Sequence, residues 1–233
     1  MRFEFATAER IIFGEGTVRE VGPLASEMGD SAFVVTGSNT ARAEPLLEDL
    51  NKCKMKCVTF SISGEPTDVT AKAAVKEARE AQSNMVISIG GGSALDTGKV
   101  VAAMLTNSGE LEDYLEVVGA NKPLTQYPVP NIAIPTTAGT GAEVTRNAVL
   151  GLPEYGVKVS MRSNLMLPRL AVVDPVLTYS TPPAVTASTG LDALTQLIEA
   201  YVSNKANALT DGICLCLLYT SPSPRDLSTS RMP

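Results

Sequence analysis

The chain has 233 residues, 44% of them hydrophobic and 19% charged, and a formal net charge of -6. That balance supplies a sizeable core and excludes the basic stripe of a nucleic-acid-binding protein. No apolar run approaches the ~20 residues of a membrane span. The opening MRFEFATAERIIFGEG lacks both the apolar core and the cleavage site of a secretory signal, so the expected location is the cytoplasm, with no membrane partner.

In chain order, residues 3–13 alternate apolar and charged side chains as a strand or hairpin, and 17–28 reads as a helix. A buried strand is expected over 32–36, part of a helix over 45–51 and another strand over 56–62. The run 69–81, VTAKAAVKEAREA, places apolar residues at helical spacing among charges, the pattern of an amphipathic helix laid on a sheet. A strand over 86–89 and a helix over 94–105 follow. Strands alternating with helices define an α/β fold whose mostly parallel sheet is covered on both faces. Beyond Pro135 the pattern loosens into short strands near Ala148, over 157–161 and over 170–173. A helical region opens near Pro182, where the first domain is expected to end. The cysteines Cys53, Cys57, Cys214 and Cys216 make no convincing disulfide framework in a chain of this size, and Cys53 and Cys57 read as packed or free thiols.

Two segments carry chemistry. Residues 85–99, MVISIGGGSALDTGK, form an apolar strand that empties into Gly90, Gly91 and Gly92 and then into a helix opened by Ser93. Glycine has no Cβ to hold a diphosphate away, and the free N–H groups and dipole of a helix start favour an anion at the same place. A glycine triplet after a strand also occurs in tight turns without a ligand, and a second segment tips the balance. Residues 131–145, NIAIPTTAGTGAEVT, form another strand, closed by Pro135 and followed by Thr136, Thr137 and Thr140 as donors, with Gly139 and Gly141 between them. Two such turns at the carboxyl ends of parallel strands face one crevice. The alternative is that these threonines only cap turns.

Three motifs, GGGSALDTGK at 90–99, PTTAGTGAEVT at 135–145 and AVVDPVLTYSTPPAVTASTGLDALTQLIEAYVS at 171–203, carry a family resemblance. In them the chain resembles the iron-containing (group III) alcohol dehydrogenases, with dehydroquinate synthase and glycerol dehydrogenase as more distant relatives. The resemblance implies a Rossmann-like parallel-sheet domain over 1–181 that binds the nucleotide. The first helices of an all-helical metal domain follow over 182–214, in the dehydroquinate synthase-like arrangement. It implies hydride transfer between the nicotinamide of NAD or NADP and an alcohol or aldehyde, with a divalent metal, iron or zinc, polarising the oxygen. Carried onto this sequence, the cofactor positions are Gly37, Ser38 and Asn39, then Gly90, Gly91, Gly92, Ser93 and Asp96, then Thr136, Thr137, Thr140 and Thr145. Lys158, at the nicotinamide end, and Leu177 complete the set. No catalytic residue is assigned. Members of the family often form homodimers or larger assemblies.

This sequence departs from the family pattern at two places. NAD-using members carry an acidic residue where this chain has Gly37, so no carboxylate repels a 2′-phosphate there and NADP is somewhat favoured. Arg42 either adds a donor to that phosphate or is a solvated helix charge. The family's metal is held by an aspartate, matched by Asp192, together with histidines; the first of these falls at Gln196, and the chain contains no histidine at all. A carboxamide is a poor ligand for iron or zinc. Asp192 and Gln196 are therefore a weakened metal pair, a site working without metal as in maleylacetate reductases, or polar residues on a helix surface. The run 215–233 has three prolines and no helical periodicity, and is expected to be a disordered tail unrelated to the family. The chain is then an inactive fragment of a dehydrogenase, or a nucleotide-binding piece that does not catalyse. Leu191, Leu194, Leu197 and Ile198 form an apolar face expected to stand partly exposed.

Overall fold

The computed structural model describes residues 2–220. The strands are β1 (Arg10–Phe13), β2 (Ser31–Gly37), β3 (Lys56–Ile62), β4 (Met85–Gly90), β5 (Asn131–Pro135), β6 (Asn147–Leu152), β7 (Val157–Arg162) and β8 (Leu170–Val173). The helices are α1 (Val21–Ser26), α2 (Glu44–Lys52), α3 (Asp68–Glu80), α4 (Gly92–Thr106), α5 (Pro183–Val202) and α6 (Ala208–Thr220). Contacts divide the described residues into two compact units, one of residues 6–181 and one of 2–5 with 182–220.

In the larger unit six strands form one sheet in the order β1-β8-β5-β4-β2-β3, with every pairing parallel. Their composition explains this, because β2 (SAFVVTG) and β4 (MVISIG) are apolar on both faces and must be covered on both. Phe33, Val35 and Val86 face a core shared with α3, α4 and the antiparallel β6–β7 hairpin. Val34, Ile87, Ile132 and Ile134 face the opposite core, where Val21 of α1 and Leu46 and Leu50 of α2 close the other layer. α3 buries Ala71, Ala74, Val75 and Ala78, and its first turn is capped by Thr67 Oγ1, which accepts from the Thr70 N–H at 3.1 Å. From β2 the chain winds outward to β3, then returns to place β4 on the other side of β2. The winding thus reverses between β2 and β4, which makes their carboxyl ends the switch point of the sheet.

Several expectations are corrected. Residues 3–13 are not a hairpin: only Arg10–Phe13 is strand, and it runs parallel to β8 through pairs such as Ile11 with Ala171. The helix expected over 17–28 is a 3-10 turn at Thr17–Glu20 and the short α1, because Pro23 lacks an N–H and α1 stops at Ser26. The tail begins later than residue 215. α6 continues to Thr220 through Leu215, Leu217 and Leu218, good helix formers with no proline before position 222. The rest of the expected tail, 221–233, lies outside the described residues.

In the smaller unit α5 packs on α6. α5 buries none of its residues fully; Leu191 and Ile198 are exposed, with Leu194 and Leu197 half-buried between them. Among the described residues no helix is long and apolar enough to cross a membrane.

Candidate functional site

The carboxyl ends of β2, β4 and β5 bring the two glycine- and threonine-rich turns into one notch. Gly90, the last residue of β4, pairs with Pro135, and its carbonyl accepts from the Thr136 N–H at 2.9 Å, so the second turn starts on the first. A methyl group placed on Gly90 would lie 3.1 Å from Gly37 N and 2.7 Å from Ala94 Cβ. Bare backbone is therefore required where β2 and β4 end side by side. On Gly91 the methyl would lie 3.6 Å from Thr137 Oγ1, and on Gly92 it would lie 3.1 Å from Thr140 Oγ1 and 3.0 Å from its Cγ2. The two threonines thus form the wall opposite the glycine turn.

The notch is not filled by buried side chains. Gly91, Gly92 and Ser93 are half-buried, Thr137 is half-buried and Thr140 exposed. α4 begins at Gly92 and runs to Thr106, so the unpaired N–H groups of a long helix point into this notch. Thr36 Oγ1, on the residue before Gly37, is buried with no hydrogen-bond partner. Peptide donors without Cβ atoms, a helix start and facing hydroxyls are a donor set that fits a diphosphate.

The other expected cofactor residues fall around this centre. Ser38 and Asn39 are exposed just past β2. Arg42 is not a solvated charge: it is half-buried and donates to the Ser180 carbonyl at 2.7 Å. Asp96 has both carboxylate oxygens engaged, one at 3.0 Å from Lys99 Nζ and one accepting from the Val149 N–H at 3.0 Å. Thr145 lies where the second turn enters β6, and its hydroxyl accepts from Lys99 at 3.1 Å. Lys158 is exposed on β7 and pairs with Glu65 at 2.6 Å. Glu65 belongs to the loop leaving β3, so this pair stands on the carboxyl side of the sheet, where Thr67 also bridges to Gly151. Leu177 is half-buried against the core that holds Ile89 and Ile134.

Three residues were not singled out from sequence. Lys99 is fully buried at the heart of α4, a lone charge in the run GKVVAAML, and burial pulls its ammonium below the ordinary lysine range. Glu143 sits half-buried in the 3-10 turn after Gly141, and burial raises its carboxyl above the usual range. Gly98 lets α4 lie against β4, since a methyl there would fall 1.8 Å from Ser88 Oγ. The isolated lysine was a readable signal; the glycine became visible only with the helix docked.

The metal expectation finds no matching donors. Asp192 and Gln196 are both exposed on α5, and no group of three or more His, Cys, Asp or Glu able to hold a metal ion occurs among the described residues. A carboxylate and a carboxamide alone do not make a tight transition-metal site.

The family model described as iron-containing alcohol dehydrogenase matches residues 8–175. Alcohol dehydrogenase 4 of Saccharomyces cerevisiae is 38% identical over 212 residues, which is 87% of this chain and 53% of the yeast protein. NAD-dependent methanol dehydrogenase of Bacillus methanolicus is 33% identical, over 88% of this chain and 54% of its own length. Sulfoacetaldehyde reductase of Bifidobacterium kashiwanohense, solved in complex with NAD+, superposes with a TM-score of 0.85 and 32% identity, over 94% of this chain and 58% of that one. The chain thus spans about half the length of the relatives it matches. On the glycine turn, the threonine wall and this match, the chain belongs to the iron-containing alcohol dehydrogenase family.

Proposed function

We propose that this chain forms the nucleotide-binding half of an NAD(P)-dependent alcohol dehydrogenase or aldehyde reductase. The observation that supports the reading best is the notch itself, where Gly91 and Gly92 face Thr137 and Thr140 at the switch point between β2 and β4. A nicotinamide cofactor held there would supply hydride exchange with a small alcohol or aldehyde. The residues of this chain hold the cofactor. The peptide groups of Gly91, Gly92 and Ser93 take the diphosphate, and Thr137 and Thr140 donate from the opposite wall. Thr36, Gly37, Ser38 and Asn39 bound the adenosine ribose. Lys158 stands on the same side of the sheet, the expected nicotinamide end.

NADP is the favoured cofactor in this reading. An added Cβ at Gly37 meets nothing within 4 Å, so there is room for a 2′-phosphate and no carboxylate to repel it. A metal held tightly through Asp192 and Gln196 is not part of the proposal. A cytoplasmic location and a homodimer follow the family. Titration of the chain with NADPH and NADH by cofactor fluorescence tests the assignment. Binding is expected for both, tighter for NADPH, and Gly91→Val removes it by pushing a branched side chain towards Thr137. Absence of any binding by the wild-type chain refutes the assignment.

A further inference from the structure

Lys99 is the one fully buried cation of the larger unit among the described residues, and no anion-binding or catalytic duty above explains it. Burying an ammonium is costly unless it is paired and hydrogen-bonded. Here it is both. Nζ lies 3.0 Å from Asp96 Oδ1 and donates to Asn147 O at 2.5 Å, to Thr145 Oγ1 at 3.1 Å and to Thr145 O at 3.4 Å. These partners come from both sides of the notch. Asp96 is in the helix that starts at Gly92, whereas Thr145 and Asn147 lead out of the threonine turn. The second Asp96 oxygen accepts from Val149 N, two residues further along the same segment. Thr145 in turn donates to Ala142 O at 3.4 Å, and Ala142 N donates to Thr140 Oγ1 at 3.3 Å. A chain of hydrogen bonds therefore runs from the Lys99 ammonium to the hydroxyl that faces Gly92.

An apolar side chain of similar length would fill the same space, and replacing a buried ion pair by such residues is often neutral or stabilising. What the ammonium adds is direction: it fixes where the Thr145 hydroxyl and carbonyl point, and hence where the threonine turn stands. We propose that Lys99 is a positioning residue of the cofactor site, holding the Thr140–Thr145 turn at the spacing from the glycine turn that a bound dinucleotide requires. This rests on the notch being a dinucleotide site, as proposed above.

The test is a double-mutant cycle on NADPH affinity with the wild-type chain, Lys99→Met, Thr145→Ala and the double variant, each titrated below its melting temperature. Each single substitution is expected to weaken binding about tenfold, the scale of one lost hydrogen bond in a buried setting. The double variant should also weaken it about tenfold rather than a hundredfold, because both remove the same link. Lys99→Gln, which keeps a donor, is expected to recover part of the loss. A purely structural lysine would lower the melting temperature and leave the affinity of the folded protein unchanged. Wild-type affinity in Lys99→Met, or losses that multiply in the double variant, overturns the role of Lys99 and leaves the dinucleotide reading standing. No binding by the wild-type chain overturns both. Should Lys99→Met not fold, the same cycle with Lys99→Gln decides between multiplied and shared losses.

Discussion

Gly98→Ala probes how closely α4, the helix that opens at the glycine turn, must sit on the sheet. The added methyl would fall 1.8 Å from Ser88 Oγ, 3.0 Å from Ser88 Cβ and 3.4 Å from Val86 Cγ1. Rotating the Ser88 hydroxyl relieves only the first contact. Ser88 is fully buried in the centre of the sheet, with β5 on one side and β2 on the other, so the strand cannot yield and α4 must move outward. Overpacking of this kind costs about 1–3 kcal/mol, while alanine in place of a helical glycine returns up to ~1 kcal/mol. The net expectation is a loss of about 1 kcal/mol, roughly 2–4 °C in melting temperature for a chain of this size. Because α4 begins at Gly92, its displacement also moves the N–H groups that line the notch, so NADPH affinity should fall with stability. Urea denaturation combined with cofactor titration measures both. Ser88→Ala in the Gly98→Ala background removes the nearest atom and should restore part of each loss. A Gly98→Ala protein as stable and as tightly binding as wild type, or one indifferent to the Ser88 change, would show that the helix-to-strand distance is not under the constraint argued here.

Gly37→Asp should fold normally, since a Cβ there meets no atom within 4 Å, and should invert cofactor preference by placing a carboxylate where the 2′-phosphate is proposed to sit; parallel NADPH and NADH titrations read this as a loss of at least about tenfold for NADPH alone. Burial raises the Glu143 carboxyl, so the folded state holds its proton to higher pH than the unfolded chain does. Stability should therefore decline as pH rises from the ordinary carboxylate range through the raised folded value. Glu143→Gln should flatten that part of the profile in urea titrations taken at successive pH values, and an unchanged slope would assign it to other groups. Leu191 and Val202 are 63% and 72% exposed on α5, which predicts binding of a hydrophobic dye by the isolated chain. Replacing Leu191 and Ile198 with lysine should reduce the dye signal without lowering the melting temperature of the larger unit.

The alternating pattern of apolar runs and amphipathic segments was enough to place most strands of the sheet within a residue or two, because strands buried on both faces and helices buried on one leave different periodicities. The glycine and threonine turns were legible for a similarly local reason: a strand that ends in residues without Cβ atoms or with short hydroxyl side chains declares a close approach. Where local signals conflicted, tertiary context decided. Residues 3–9 alternate like a strand but form none, Glu9 N–H making a single backbone bond to Pro168 O, and residues 215–220 lack amphipathic period yet continue as helix. The sequence by itself determined that a parallel sheet ends in a glycine turn that opens a helix and that these 233 residues contain no histidine. Only the tertiary structure decided that Gly37, Gly90 and Thr136 meet at the reversal between β2 and β4, that Asp96 and Arg42 are already spoken for by other protein groups, and that Lys99 ties the two turns together. Those facts depend on which strands become neighbours and how near a helix lies to the sheet, and distances between segments far apart in the chain leave no trace in local composition.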